Sequence, residues 1–253
     1  MALDRQLSAI SVTDHDTVAG VDVAVDASKG TDLEVVPGVE IGTLIESQEV
    51  HLLGYFIATD SRRLQEALAF LRRARLERAQ EIVDRLIQLD VQISLQQVSE
   101  IVGEAEAIGR PHIAHALVKE GVVPSSKEAF DRYLSPGAPA YVPRYRMPPQ
   151  DVLALIRDAH GIPVIAHPLE VLRFVPQLVD YGLVGLEAFY RGYTPGQISE
   201  LLNLAHRYNL VPTGGTDFHG SDRDDAVAPG SVYVPPNTVE RLRERLRTSR
   251  LEG

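Results

Sequence analysis

Thr213-Gly214-Gly215-Thr216-Asp217-Phe218-His219-Gly220 follows a short apolar run, Leu210-Val211. The run has the character of a buried strand, and the two glycines predict that it stops there. Just past the stop lie Asp217 and His219, one residue apart. In extended backbone they would share a face. A carboxylate and an imidazole presented together at the end of a buried strand is a common way of holding a metal ion. The plainer reading is a polar turn with a capping aspartate and a surface histidine. This stretch alone leaves both open.

The segments upstream repeat the arrangement. Residues 150–160, 171–181 and 195–209 read as helices, and residues 162–166 and 184–189 as strands, the first ending in His167-Pro168. Residues 239–247 read as a last helix. At the front, the strand 8–12 runs into a dense polar cluster, Thr13-Asp14-His15-Asp16-Thr17, and residues 21–27 suit a short helix. A second strand, 33–36, is expected to break at Pro37-Gly38. Val39-Glu40-Ile41 follows, with Glu40 in an apolar setting, then a third strand, 49–57, with His51 near its start. A hairpin around Glu46-Ser47-Gln48 would bring Glu40 close to His51. Strands alternating with helices imply a mostly parallel sheet, open or closed into a barrel.

From Arg62 the texture changes. Leu64, Leu68, Leu71, Ile82 and Leu86 recur at helical spacing, while Arg62, Arg63, Arg72, Arg73, Arg75, Arg78 and Arg85 fall on the opposite side and read as a solvated face. Further helical patterns span 95–102, 111–120 and 127–134, before five prolines between 136 and 149 end the block. The expected organisation is a barrel-type domain in two parts, 1–60 and 148–253, around an α-helical insert, 61–147.

Composition narrows the chemistry. With 253 residues, 44% of them apolar, the chain can bury a sizeable core. No apolar run approaches the roughly 20 residues a membrane span needs. Residues 1–7 read as the end of an amphipathic helix rather than a secretory leader, so a cytoplasmic protein without membrane partners is expected. Cysteine is absent, so any metal must be held by histidine and carboxylate, which favours Mn, Fe, Zn or Mg. A formal charge of −10 argues against duplex DNA as a partner, though not against a small phosphorylated ligand held by local arginines. His15, His167, Asp217 and His219 each follow an expected strand, where the active sites of barrels gather. Their number and common placement point to a metal centre.

Six segments, Thr13–Gly20, Pro37-Gly38-Val39-Glu40, His51–Tyr55, Gly109-Arg110-Pro111-His112, Ala166-His167-Pro168 and Gly215–Gly220, in this order, resemble the polymerase and histidinol phosphatase (PHP) family. The match looks nearest to its stand-alone phosphoesterases with a helical insert, which act on nucleotides. The resemblance implies a distorted (β/α)7 PHP barrel carrying up to three divalent metals on its rim. It implies that Glu40, His51 and His167 hold one metal, that Glu40 bridges to a second with Asp217, and that His15 and His219 contribute to a third. Asp217 and His219 would be the catalytic residues. Arg110 would bind substrate phosphate, with Arg144 and Arg146 as further candidates. The family opens with a strand bearing His-x-His and a following aspartate, and nothing like it precedes Ser8. The expectation is therefore a barrel lacking its first strand, through truncation or natural degeneration, and holding fewer metals than three. The implied activity is hydrolysis of nucleoside 3′,5′-bisphosphates or short 5′-phosphorylated oligonucleotides such as single-stranded RNA. A histidinol-phosphate phosphatase and a non-catalytic metal-binding module are the alternatives.

Overall fold

Glu46 and Ser47, both at positive φ (48° and 69°), turn strand β2 (Glu34–Ile45) back onto β3 (Gln48–Tyr55). Positive φ at both central residues gives a two-residue turn the twist that suits a hairpin. The hairpin is the middle of a six-stranded sheet in the order β1-β2-β3-β4-β5-β6, with β1 at Ala9–Val12, β4 at Ile162–Ile165, β5 at Gly185–Tyr190 and β6 at Val211–Gly215. β1 pairs parallel with β2, β3 runs antiparallel to both β2 and β4, and β4, β5 and β6 are mutually parallel. Five strands therefore point one way and β3 the other. The C-terminal ends of β1, β4, β5 and β6 lie on one side of the sheet.

The computed structural model describes residues 1–102, 108–220 and 228–251. They form two compact units, Met1–Gln65 with Met147–Gly253, and Glu66–Arg146. In the first unit, Val36, Leu53, Tyr55, Ile162, Val164, Ala166 and Val211 build one apolar cluster, closed by Leu242 of α9 (Thr238–Leu251). All four β4 residues are buried, as expected of a strand covered on both faces. α1 (Ala19–Ser28), α6 (Pro149–Asp158), α7 (Val175–Asp180) and α8 (Pro195–Arg207) complete this unit, and Thr194 caps α8 by accepting the Gln197 N–H.

The second unit has its own core, in which Ile82, Leu86, Val98, Ile113, Leu117 and Leu134 are buried. It is built from α2 (Arg62–Gln88, which enters it at Glu66), α3 (Leu95–Val102), α4 (Arg110–Lys119) and α5 (Ser126–Ala129). A π turn, Phe130–Leu134, continues α5. Among the described residues, no helix is long and apolar enough to cross a membrane.

Three expectations are corrected. Pro37-Gly38 does not break a strand: β2 runs through it. A Cβ at Gly38 would lie 2.8 Å from the Val12 carbonyl oxygen and 2.5 Å from Ser11 Oγ, so the glycine lets β1 pass close by. Gly214-Gly215 likewise belong to β6 rather than ending it, and a Cβ at Gly214 would lie 2.3 Å from the Phe189 carbonyl oxygen of β5. A glycine inside a strand often marks a close approach of another backbone. The helix expected over 171–181 is instead a 3-10 segment, Pro168–Phe174, interrupted at Val171 (φ −127°), followed by α7.

Candidate metal centre

Beyond β1 the chain stays beside β2. The Asp16 N–H donates to the Glu40 carbonyl (2.9 Å) and the Glu40 N–H to the Asp14 carbonyl (3.1 Å), which sets His15 against Glu40. Asp16 is fully buried and takes φ +55°. On the other side, His51 of β3 pairs with Gly42, two residues along from Glu40 and on the same face of β2. The Ala166 N–H donates to the His51 carbonyl (3.0 Å), which brings the end of β4 and His167 alongside.

The result is one buried carboxylate ringed by three imidazoles. Glu40 Oε1 lies 2.7 Å from His51 Nδ1 and 3.8 Å from His167 Nε2, and Glu40 Oε2 lies 3.6 Å from His15 Nδ1. His51 Nδ1 and His167 Nε2 are 3.2 Å apart. Burial alone would raise the Glu40 pKa, but the neighbouring His167 and His51 rings and the charge of His15 hold it far below the usual carboxylate range. Burial disfavours the His51 imidazolium, yet its bonds to Glu40 and Glu49 outweigh this and push it up to about 9. A buried ion pair would need a single histidine. Three around one carboxylate, each carboxylate oxygen facing a different histidine set, is the donor chemistry of a divalent-metal site. Donor atoms of His15, Glu40 and His51 all lie within 4.8 Å of one another.

His167 and Asp217 are held in unusual backbone. His167 has φ 29° and ψ 57°, although the following Pro168 disfavours helical conformations in the residue before it. Asp217 has φ 49°. Non-glycine residues with positive φ concentrate at functional sites, where surrounding contacts must hold them. The Tyr190 hydroxyl donates to Asp217 Oδ2 (2.8 Å), and Arg191 Nη2 stands 3.5 Å from the same oxygen. His219 Nδ1 lies 2.8 Å from the Asp217 carbonyl oxygen, so Nδ1 is the donor of that bond and Nε2 is the ring nitrogen left outside it. Asp217 and His219 thus meet through a contact to the Asp217 backbone at positive φ, not along one face of an extended segment. The structure sets His15 against Glu40.

Residues that sequence reasoning passed over stand beside these. Glu187 of β5 is 5% exposed, and its Oε2 accepts the His167 N–H (2.9 Å). Burial raises its pKa to about 7 against the opposing hydrogen bond from His167. Tyr190, whose ring centroid is 5.6 Å from that of His167, was equally unmarked. The available signal was a glutamate inside an otherwise apolar strand, Gly185-Leu186-Glu187-Ala188-Phe189.

In the second unit, Arg110 opens α4. Its Nη1 donates to the Leu134 carbonyl (3.0 Å), and its guanidinium lies 5.7 and 5.4 Å from the Phe130 and Tyr141 ring centroids. Burial, and then the charges of Arg110 and Arg146, lower the Arg78 pKa to about 10, so these three cations share one neighbourhood. Arg144 and Arg146 are half-buried. Arg78 and Arg85 are not simply a solvated face, because they donate to the Val142 and Tyr141 carbonyls. His112 accepts the Gly109 N–H at the start of α4 (3.1 Å), a capping contact. His115, His160 and His206 are exposed.

No protein-family model matches the chain. A 5′-3′ exoribonuclease of Haemophilus influenzae is 30% identical over 225 residues, covering 86% of this chain and 81% of that protein. A 3′,5′-nucleoside bisphosphate phosphatase of Chromobacterium violaceum is 28% identical over 242 residues, covering 93% and 85%. Among solved structures, a Bifidobacterium adolescentis protein provisionally described as a metal-dependent phosphoesterase superposes with a TM-score of 0.83 at 33% identity, covering 96% of this chain and 88% of its own.

Proposed function

The chain belongs to the polymerase and histidinol phosphatase family of metal-dependent phosphoesterases, and from that membership we propose that it hydrolyses phosphate esters of small nucleotides in the cytoplasm. The substrate is a nucleoside 3′,5′-bisphosphate or a short 5′-phosphorylated oligonucleotide, the two classes to which the relatives' names point. The finer reading of the fold belongs to the same proposal: the sheet is part of a distorted β/α barrel, and residues 61–147 are its helical insert.

One observation carries the reading. Glu40 offers Oε1 to His51 and His167 and Oε2 to His15, so one buried carboxylate can serve two ligand groups. Glu40, His51 and His167 would hold one divalent ion, of Mn, Fe, Zn or Mg, with His15, Asp217 and His219 contributing to neighbouring positions. Such an ion supplies Lewis acidity, polarising the phosphoryl group and letting water ionise near neutral pH. The protein's own groups do the rest. Asp217 has Oδ2 on the Tyr190 hydroxyl and Oδ1 3.5 Å from His219 Nδ1, which sets its carboxylate beside His219 as a candidate ligand. His219, with Nδ1 the donor to the Asp217 carbonyl, presents Nε2 as a ligand or a base. Arg110, with Arg144 and Arg146, would orient the substrate phosphate through paired N–H donors.

The test is a hydrolysis assay with metal-loaded protein, which reads phosphate released from a nucleoside 3′,5′-bisphosphate and from histidinol phosphate, and both phosphate and mononucleotides released from a 5′-phosphorylated RNA trimer. Turnover of either nucleotide substrate, abolished by chelator, is expected. Turnover of histidinol phosphate alone would overturn the substrate assignment. Stoichiometric metal with no turnover of any of the three would favour a non-catalytic module.

A further inference from the structure

β5 pairs in register with β6 at Glu187↔Thr213, but the next pairs are Phe189↔Gly214 and Tyr190↔Gly215, so Ala188 is an extra residue on β5. Such a bulge turns the side chains beyond it. In a regular strand Glu187 and Tyr190, three positions apart, would point to opposite faces. Here both reach the same place: Glu187 bonds the His167 backbone, and Tyr190 bonds Asp217 and lies against the His167 ring. Space has been left for the carboxylate as well. A Cβ on Gly215 would come within 3.2 Å of Glu187 Oε1, which gives the second glycine of the opening stretch a purpose of its own.

Burying a carboxylate costs several kcal/mol unless partners compensate, and among the described residues the partners of Glu187 are few. The hydrogen-bond donor that meets it is the His167 N–H. Nearby, the Thr213 hydroxyl donates to the Leu186 carbonyl (3.3 Å). A carboxylate kept here needs a reason, and the His167 backbone supplies one. Its φ of 29° ahead of a proline does not persist without an external contact. The N–H of a residue in that conformation points away from any ladder partner, and Glu187 Oε2 receives it at 2.9 Å.

We propose that Glu187 is a positioning residue of the metal centre: its buried carboxylate fixes the His167 backbone in the conformation that aims Nε2 at Glu40. The inference rests on the reading of His167 as a metal ligand, but not on which ester is the substrate. Outer carboxylates that orient ligating histidines set metal affinity by about 10–100-fold.

The experiment compares Glu187→Met, which fills the same volume without an acceptor, with Glu187→Gln, which keeps an acceptor oxygen for the His167 N–H. Mn2+ affinity is measured by calorimetry on the full chain, with circular dichroism and melting recorded for each variant. Glu187→Met is expected to bind Mn2+ about 10–100-fold more weakly while remaining folded, and Glu187→Gln is expected to recover part of that loss. Thr213→Val serves as a control, since it disturbs a neighbouring buried polar group without touching His167. It should lower the melting temperature and leave the affinity unchanged. Wild-type affinity in folded Glu187→Met would overturn the proposal, and so would an equal loss in Thr213→Val. Should Glu187→Met not fold, Glu187→Ala takes its place under the same criteria. Failure of the nucleotide assay with these affinities intact would count against the substrate alone. A wild-type chain that binds no Mn2+ would sink the metal reading and this proposal with it.

Discussion

At the scale of single residues, the site is governed by competition between protons and cations for the same nitrogen atoms. In the metal-free protein, Glu40 and Glu49 hold a proton on His51 up to about pH 9. A histidine raised above its ordinary 6.5 contributes stability that is complete below that value and is lost as pH rises through about 9. A divalent ion must displace that proton, so metal affinity should increase with pH up to about 9, with proton release on binding. Calorimetry in buffers of different ionisation enthalpy checks this, and an affinity flat between pH 6 and 9 would contradict it. A second expectation concerns Arg110, whose Nη1 is already engaged by the Leu134 carbonyl. If its remaining donors grip a phosphate, Arg110→Ala should lower kcat/KM by about 10–100-fold, the loss of a charge-assisted bond of 1.5–3 kcal/mol, with metal content unchanged. Arg110→Lys should not restore it, because an ammonium cannot reproduce the paired donors. Steady-state kinetics beside elemental analysis would decide.

At the scale of elements, period and punctuation made most strands and helices legible. The apolar run 162–166 read as a buried strand and holds β4, and the turn residues around 46–48 close a hairpin that brings Glu40 and His51 to 2.7 Å. Glycine and proline were ambiguous. Gly38 and Gly214 look like stops in a linear chain, and only the neighbouring strand shows that each is a point of close approach. The same limit hid the supports of the site. Positive φ at His167 and Asp217 leaves no mark in composition, and the bulge that brings Glu187 and Tyr190 to one place is a property of two strands together. The cation cluster around Arg78 was hidden because helical periodicity assigns arginines to a face without saying what covers it. Gly214→Ala tests the close approach. The added Cβ meets the Phe189 backbone, which cannot swing aside, so a loss of about 1–3 kcal/mol is expected. That corresponds to a fall of about 3–10 °C in melting temperature. A melting temperature equal to wild type would show that β5 and β6 can separate freely.

At the scale of the whole molecule, the two units have separate apolar cores, and the described residues that would hold metal lie in the first. A ligand that binds only the folded state stabilises it by mass action, about 2.7 kcal/mol at one hundred times its dissociation constant. Saturating Mn2+ should therefore raise the melting temperature by about 5–10 °C, reversed by chelator. Hydrogen exchange should show the added protection in β2, β3 and the segment after β4. Protection confined to Glu66–Arg146 would relocate the ion. The tight turn at Glu46-Ser47 has a consequence in time. Glu40 and His51 share one hairpin, which can close within about 1–10 μs, whereas His167 must arrive from 116 residues away. Half a ligand set can therefore exist before the chain has found its topology. An ion captured by that half would shorten the search for the rest, so refolding begun with Mn2+ present should outpace refolding to which Mn2+ is added later, as read by stopped-flow tyrosine fluorescence.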